Sequence, residues 1–164
     1  MRKESEGLPI LPASLLVAGL PCLVVGGGKI AARKVGHLLD AGAGVTVVSP
    51  ELIPELADAV TEERIQHVPR EFEAGDADGQ RLVFAVTDNV EVNQQVIACA
   101  RAAGVLCSAA DSNWPDGDLV MPAICRKRGL VVSVATGGRS CRIARVVKDR
   151  IAQLLDTIAD EEAV

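Results

Sequence analysis

The chain has 164 residues, a formal net charge of −5, 49% hydrophobic residues and 2% aromatic residues. This length predicts one compact domain with at most a small appendage, and a domain of this size buries a core without disulfides or structural metal. The apolar content excludes a disordered chain. A pI of about 5.1 and only three aromatic residues leave neither a basic surface nor a base-stacking surface, so we expect no nucleic-acid partner.

The five cysteines are scattered along the sequence at Cys22, Cys99, Cys107, Cys125 and Cys141. None forms a C-x-x-C pair, and neither histidine is close enough in sequence to indicate zinc or an iron–sulfur cluster, so we expect no metal site. The uncharged run at 7–28 contains three prolines and follows two acids, which argues against a membrane span or a secretion signal. We therefore expect a cytoplasmic protein with small, mostly buried, reduced thiols.

Apolar strands alternate with helices through the first two thirds of the chain. Strands are predicted at 21–25, 45–48, 65–68, 82–86 and 105–109, helices at 29–41, 51–60 and 90–103, and a polar loop at 71–80. Apolar strands of this kind are buried on both faces. Their alternation with helices predicts an α/β fold with a Rossmann-type doubly wound parallel sheet.

The last third of the chain breaks this alternation. We predict a loop at 111–118, strands at 119–124 and 130–135, and a helix at 140–158. The apolar residues of this helix form one stripe and are Ile143, Val147, Ile151, Leu154, Leu155 and Ile158. A strand–strand–helix arm with such a stripe predicts contact with a partner chain.

A glycine-rich turn joins the first strand to the first helix. In Gly26-x-Gly28-x-x-Ala31 the first glycine permits a tight turn, the second lets a pyrophosphate approach the backbone, and the small third residue lets helix and strand pack closely. Amides at the start of the helix then bind phosphate. The turn predicts dinucleotide binding, and a glycine-rich turn of the flavodoxin type is the alternative.

The end of the second strand carries further candidate cofactor contacts. The acid usually found there is replaced by Ser49-Pro50-Glu51, so we expect Ser49 or Glu51 to meet the ribose hydroxyl. No arginine follows to bind a 2′-phosphate, which favours NAD over NADP.

Two later strand ends carry polar residues. Thr87-Asp88 follows the strand at 82–86 and is expected to contact cofactor or substrate, or else to cap the next helix through Asp88 or Asn89. Asp111 follows the strand at 105–109. It is a candidate general base beside a nicotinamide, with a turn-forming role as the alternative.

Positive charge is concentrated in the arm. Residues 126–150 contain eight bases and one acid, a local charge of +7 on a chain whose remainder carries −12. This predicts a polyanionic small-molecule ligand or a complementary subunit surface, with a solvated helix face as the alternative. Gly137-Gly138-Arg139-Ser140 adds an anion-binding helix terminus.

Five segments occur in the order found in one protein family. They are Cys22-Leu-Val-Val-Gly-Gly-Gly-Lys-Ile-Ala-Ala-Arg-Lys34, Ala85-Val-Thr-Asp88 with Asn93, Asp111, Met121-Pro-Ala-Ile124 and Thr136-Gly-Gly-Arg-Ser140. On these residues the chain resembles the siroheme synthase amino-terminal module family, the precorrin-2 dehydrogenases and sirohydrochlorin ferrochelatases, over about residues 8–158.

The resemblance implies NAD-dependent oxidation of precorrin-2 to sirohydrochlorin in siroheme biosynthesis by an interlocked homodimer, with Asp111 as the catalytic acid–base residue. Together with the turn and the strand ends, it gives as cofactor-binding residues Gly26, Gly28, Lys29, Ile30, Ser49, Pro50, Glu51 and Thr87. Precorrin-2 carries eight carboxylates, which the basic arm is expected to meet. The expected substrate-binding residues are Thr136, Arg139, Ser140 and Arg142.

We therefore assign residues 1–112 to an NAD-binding Rossmann domain and 113–164 to a dimerisation and substrate-binding arm. We expect the small helical carboxyl-terminal domain of longer relatives to be absent, which leaves ferrochelatase activity as an open question. Ser108 stands where the family commonly has asparagine, and Cys141 stands where it has proline. Two alternatives are a non-catalytic NAD-sensing Rossmann module and a chelatase or tetrapyrrole carrier that does not oxidise.

Overall fold

The structure is a computed structural model that describes residues 7–109 and 115–161, with side chains described as far as residue 157. The chain forms two compact units. The first is Ser14–Val120, and the second combines the described parts of Met1–Ala13 and Met121–Val164. Segments from both ends of the chain therefore build the second unit.

The first unit contains five strands and three α-helices. The strands are β1 (Pro21–Val25), β2 (Gly44–Val48), β3 (Gln66–Val68), β4 (Leu82–Ala85) and β5 (Leu106–Ala109). The helices are α1 (Lys29–Leu39), α2 (Pro54–Thr61) and α3 (Val90–Ala102).

These strands form one parallel sheet in the order β3–β2–β1–β4–β5. From β1 the chain moves outward to β2 and β3, then returns to the other side of β1 for β4 and β5. Doubly wound sheets bind ligands at this reversal, beyond the carboxyl ends of the strands. The predicted α/β doubly wound sheet is confirmed.

The core lies at the centre of this sheet. Residues 22–25 of β1 and all four residues of β4 are buried, and Phe84 is 1% exposed. Leu23 and Val83 pack with Val96 and Ala100 of α3 in one apolar cluster. Because the central strands are covered on both faces, the turns at their carboxyl ends start from fixed positions.

Helix α2 starts later than the sequence predicts. The predicted start was residue 51, whereas the helix starts at Pro54. Proline is favoured in the first helical turn because its missing N–H has no partner there in any case. Residues 51–53 are therefore left as extended chain at the sheet edge. The predicted loop at 71–80 contains a 3₁₀ turn, Ala74–Ala77.

The second unit contains a hairpin and a long helix. The strands β6 (Ala123–Lys127) and β7 (Leu130–Val134) are antiparallel, and α4 (Cys141–Glu161) packs against both. The two residues between the strands, Arg128 and Gly129, have φ values of 51° and 78°. Positive φ at both positions is the type I′ geometry that suits a two-residue hairpin turn.

The predicted strand at 119–124 was wrong in position. The strand begins at Ala123 and continues through Arg126 and Lys127. The turn pairs Lys127 with Leu130, so the residues immediately before the turn must form the strand despite their charge. The apolar run that suggested an earlier strand, Leu119 to Met121, lies outside the hairpin.

The beginning of the described chain belongs with the second unit. The backbone N–H of Leu8 donates to the carbonyl oxygen of Gly137 at 2.8 Å. A Cβ added at Gly137 would lie 2.4 Å from the Leu8 carbonyl oxygen, so a side chain at this position is excluded. Residues 7–8 thus lie against the turn that precedes α4.

Apolar side chains of the second unit are poorly covered. No residue of β6 or β7 is buried, and in the part of α4 with described side chains only Ala144 is buried. Several large apolar side chains of this hairpin and helix are at least 38% exposed. They are Leu130, Val131, Ile143, Val146, Val147 and Leu154. Within 7–109 and 115–161, no helix is long and apolar enough to cross a membrane.

Candidate functional site

A cavity of about 650 Å³ lies at the carboxyl edge of the sheet, in the first unit. Four loops line it, those that follow β1, β2, β3 and β4. The lining residues are 25–30, 48–53, 71–72, 86–89 and 92. All eight sequence-predicted cofactor-binding residues are among them. The cavity spans the reversal of strand order, where a doubly wound sheet binds its ligand.

Gly26 and Gly27 are required by the protein's own packing. Gly26 has φ +127°, and a Cβ there would lie 2.7 Å from the Val86 carbonyl oxygen. A Cβ at Gly27 would lie 1.9 Å from the carbonyl oxygen of Glu51. The spacing argument identified Gly26 but passed over Gly27, although the triple glycine in the sequence already marked this position.

Gly28 differs from its two neighbours. It is the N-cap of α1, and a Cβ added to it would meet no atom within 4 Å. It lines the cavity, so the added atom would occupy space that is open to a ligand. The protein itself has no packing reason for glycine here, whereas a pyrophosphate that approaches the backbone does require one.

The first turn of α1 is free for an anion. It has no side-chain cap and no acidic residue in its first turn. Its N–H groups therefore have no side-chain acceptor, and no carboxylate offsets the positive end of the helix dipole. Such a terminus binds phosphate groups, and the open face at Gly28 leaves room for them. The residues present fit a dinucleotide.

Ser49 holds the loop that follows β2. Its hydroxyl donates to the Glu51 carbonyl oxygen at 2.7 Å, and Nε2 of His67 donates to the Ser49 carbonyl oxygen at 2.9 Å. The N–H of Ile53 donates to the Gly27 carbonyl oxygen at 2.9 Å, which ties this loop to the glycine turn. Because Ser49 is buried and Glu51 is exposed, the carboxylate of Glu51 is the better placed of the two to accept from a ribose hydroxyl.

Glu71 and Phe72 are lining residues that the sequence analysis missed. An ion pair holds their loop, since Arg70 donates to both carboxylate oxygens of Asp76 at 2.8 and 2.6 Å. Arg70 lowers the pKa of the Asp76 carboxyl below its ordinary value, and Asp76 raises the pKa of Arg70. Asp76 also accepts from the N–H of Glu73 at 2.9 Å. One signal in the sequence could have identified this part of the lining, because Phe72 is the one aromatic residue in an otherwise polar stretch.

Asn93 of α3 holds the loop that follows β4. This buried side chain accepts the Thr87 N–H at 3.0 Å and the Thr87 hydroxyl at 2.8 Å through Oδ1. Its Nδ2 donates to the Thr87 carbonyl oxygen at 2.8 Å. Both ends of the Asn93 amide are therefore committed to Thr87, and the backbone of Thr87 is fixed at the cavity wall.

The cap of α3 is Asn89. Its side-chain oxygen accepts from the N–H groups of Glu91 and Val92 at 2.9 and 3.3 Å. Of the two capping candidates this assigns the role to Asn89 and leaves Asp88 exposed on the cavity lining.

Asp111 lies outside the described residues, which resume at residue 115. Further along the chain, Asp118 is anchored to β5, because its carboxylate accepts the Cys107 N–H at 3.0 Å and its own N–H donates to the Cys107 carbonyl oxygen at 2.8 Å. The guanidinium of Arg101 lies 3.7 Å from the Asp118 carboxylate. Position 118 is thus fixed to the first unit.

The predicted substrate residues lie on one turn of the second unit. The Thr136 hydroxyl oxygen accepts the Ser140 N–H at 3.0 Å, and the Ser140 hydroxyl oxygen accepts the Ile143 N–H at 3.2 Å. Thr136 and Ser140 therefore shape the turn and cap α4. Arg139 and Arg142 are exposed beside them.

Some of the arm's positive charge is already paired. Lys127 donates to the carboxylate of Asp156 and to the Ala152 carbonyl oxygen, and Lys148 pairs with Asp149. The contacts of Lys127 join the hairpin to α4, and both ion pairs reduce the charge offered to a ligand. Other basic residues of the turn and of α4 are exposed. They are Arg139, Arg142, Arg145 and Arg150.

All five cysteines are free thiols. Only Cys22 and Cys107 are buried, so the prediction that most of the thiols are buried was wrong. Burial raises the pKa of the Cys22 thiol above its ordinary value, and it raises the pKa of the Cys107 thiol to about 12. Cys99 and Cys125 are half-buried, and Cys141 is exposed. Within the described ranges, no group of three or more His, Cys, Asp or Glu side chains is arranged to hold a metal ion.

The fold and this cavity define a Rossmann-type dinucleotide-binding protein. A family model described as "Putative NAD(P)-binding" matches residues 14–123, which is more than half of the chain, and the chain belongs to this family.

Curated relatives extend the similarity through the arm. Siroheme synthase of Methylobacillus flagellatus is 43% identical over 146 residues, which cover 88% of this chain and 31% of that protein. Siroheme synthase of Methylococcus capsulatus is 43% identical over 145 residues, which cover 86% of this chain and 30% of that protein. The resemblance to siroheme synthase is thereby confirmed. The chain spans just under a third of the length of these relatives.

Among solved structures, SirC, a precorrin-2 dehydrogenase, is similar to this chain with a TM-score of 0.74 and 24% sequence identity. The match covers 88% of this chain and 70% of that chain, and it shows a shared fold.

Proposed function

We propose that this chain is an NAD-dependent dehydrogenase that oxidises precorrin-2 to sirohydrochlorin in siroheme synthesis. The observation that carries the proposal is the cavity at the carboxyl edge, where Gly28 and the uncapped start of α1 leave open space for a pyrophosphate. Identity of 43% to siroheme synthase supports the choice of substrate.

The loops around the cavity orient the dinucleotide. The first-turn amides of α1, which begins with Lys29 and Ile30, bind the pyrophosphate. Glu51, held beside Pro50 by the Ser49 hydroxyl, accepts a hydrogen bond from the adenosine ribose. The Thr87 backbone, fixed by Asn93, forms the wall on the other side of β1, where the nicotinamide half belongs.

Asp111 is assigned the acid–base role. Oxidation of precorrin-2 to sirohydrochlorin removes one hydride and one proton, and Asp111 accepts that proton from the substrate. NAD, when bound, supplies the acceptor for the hydride. Asp118, the next described acid but one after Asp111, is anchored to Cys107 of β5.

The arm provides the substrate's anion-binding groups. Arg139 and Arg142 are exposed next to the turn that Thr136 and Ser140 hold in place. Guanidinium groups bind carboxylates through paired N–H donors, and precorrin-2 offers eight carboxylates. A carboxylate-rich tetrapyrrole thus suits this basic turn.

The proposal includes a homodimer in the cytoplasm. The exposed stripe of α4 and the exposed face of β7 are the apolar surface that a second copy would cover. Five free thiols without a disulfide are consistent with a reducing compartment.

An anaerobic assay tests the activity. Purified chain with precorrin-2 and NAD is expected to form sirohydrochlorin and NADH in equal amounts, both followed by absorbance. We expect Asp111→Ala to lower turnover by about a hundredfold or more, the usual range for loss of a general base. Asp116→Ala is the matched control, since it removes an exposed acid from the same loop and should retain activity.

The outcomes separate the alternative functions. A wild-type chain that binds NAD without oxidising precorrin-2 would contradict the dehydrogenase and favour a sensing module. Undiminished turnover by Asp111→Ala would remove Asp111 from its role. Insertion of ferrous or cobaltous ion into sirohydrochlorin, measured separately, tests the chelatase activity that the sequence leaves open.

A further inference from the structure

Two glutamates on the loops that follow neighbouring strands line the same cavity. Glu51 follows β2 and Glu71 follows β3, and both are exposed lining residues. The strands β2 and β3 are adjacent, and the Ser49 N–H donates to the Val68 carbonyl oxygen at 3.3 Å just beyond the last strand pair. The two loops therefore leave the sheet side by side.

This end of the cavity is where NAD and NADP differ. In a doubly wound sheet the adenosine ribose lies at the end of β2, so the 2′ position of the ribose faces these two loops. NADP carries a phosphate there with a charge of about −2 at neutral pH, whereas NAD carries a hydroxyl. The β2 end has no Asp or Glu at the strand terminus itself, so another acid has to supply discrimination by charge.

The cation nearest in sequence to this end is already engaged. Arg70 precedes Glu71, but its guanidinium is held by both carboxylate oxygens of Asp76, and its Nε lies 3.7 Å from Glu73. Three of its five N–H groups thus donate within the protein, to Asp76 and to the Glu71 carbonyl oxygen, which weakens its capacity to bind a 2′-phosphate. The charged residues that line the cavity are Lys29, Glu51, Glu71 and Asp88, and Lys29 lies at the start of α1, at the pyrophosphate.

We propose that Glu71 is a specificity-determining residue that, together with Glu51, selects NAD and rejects NADP by repelling the 2′-phosphate. This inference rests on the proposed function, since it concerns the same cofactor site. In other dinucleotide-binding sheets, an acid at the end of β2 distinguishes NAD from NADP. In this chain, an acid in the loop after β3 would do so.

Calorimetric titration of the full chain with NAD and with NADP tests this role. Wild type is expected to bind NAD more tightly. Glu71→Gln is expected to lower the ratio of the Kd for NADP to the Kd for NAD roughly fivefold at low ionic strength. The gain should shrink in high salt, because screening weakens a charge effect and leaves a steric effect intact.

Glu62→Gln is the matched control, because it removes the same charge from an exposed glutamate outside the cavity. An unchanged ratio of the two Kd values in Glu71→Gln overturns the inference, and so does an equal shift in Glu62→Gln. A wild-type chain that binds NAD and NADP equally also overturns it, while leaving dinucleotide binding in place. A wild-type chain that binds neither contradicts the proposed function instead.

Discussion

The two units of this chain treat their apolar residues in opposite ways. In the first unit, β1 and β4 are enclosed by neighbouring strands and helices, and Phe84 is 1% exposed. In the second unit, Val131 of the hairpin is 65% exposed and Ile143 of the long helix is 58% exposed. The first unit therefore buries its apolar side chains within one chain, whereas the second unit leaves large apolar side chains exposed.

This difference separates two sources of stability. The free energy of unfolding of the first unit comes from its own core, so it should not depend on protein concentration. In the proposed homodimer the arm would bury its stripe through association, so its stability would be linked to the concentration of partner chains. The cofactor cavity lies on the self-sufficient unit, and the basic turn lies on the other.

The largest expected effect comes from emptying the core of the first unit. Phe84→Ala should lower the free energy of unfolding by about 3–5 kcal/mol, because it leaves a cavity between covered strands. The matched change in the arm is Leu154→Ala, which removes a side chain that is 55% exposed. It should change the free energy of unfolding of the monomer by no more than about 0.5 kcal/mol. Urea denaturation at low protein concentration measures both. Equal losses would contradict the contrast between the units.

Disruption of the apolar stripe is the next effect in size. Ile143→Glu places a charge on the face that a second copy would cover in the proposed homodimer, and it should raise the dimer Kd roughly thirtyfold or more. The first unit should still bind NAD. The control Arg145→Glu puts a carboxylate on the opposite side of α4, since two residues along a helix correspond to about 200°. Sedimentation velocity distinguishes the variants, and a monomeric wild type would refute the dimer.

The smallest effect compares two glycines of the first unit. Gly28→Ala should weaken NAD binding about tenfold, or by about 1.4 kcal/mol, and leave stability unchanged, because its Cβ enters ligand space only. Gly26→Ala should instead cost roughly 1–3 kcal/mol of stability, since φ +127° strains any side chain. Titration calorimetry and urea denaturation separate the two outcomes. A stable Gly28→Ala variant with wild-type affinity for NAD would show that the pyrophosphate does not bind at this turn.

Local sequence was sufficient to predict the strands and turns whose conformation depends on their own residues. The strand at 21–25 was predicted to the residue, because Pro21 opens a short apolar run that the glycine turn closes. Gly26 and Gly28 were identified from spacing, since dihedral freedom and backbone access are properties of single positions. The cap by Asn89 also follows from local chemistry, although the sequence left Asp88 open as well.

Contacts between distant segments were not predictable in this way. Glu71 and Phe72 reach the cavity because the Arg70–Asp76 pair shapes their loop and because β3 lies beside β2. The strand at β6 was misplaced because the register is set by the turn at Arg128 and Gly129 rather than by hydrophobicity. Asn93 was noted within a motif, but its hold on Thr87 needs the packing of α3 against the sheet.

The hydrogen bond from Leu8 to Gly137 has a consequence for how the chain is made. It joins residues about 130 positions apart, and the whole of Ser14–Val120 lies between them. During synthesis the first unit can fold as soon as it has been completed, because all of its strands are then available. Residues 7–8 must wait until the turn before α4 has emerged. The beginning of the chain is thus among the last parts to reach its place.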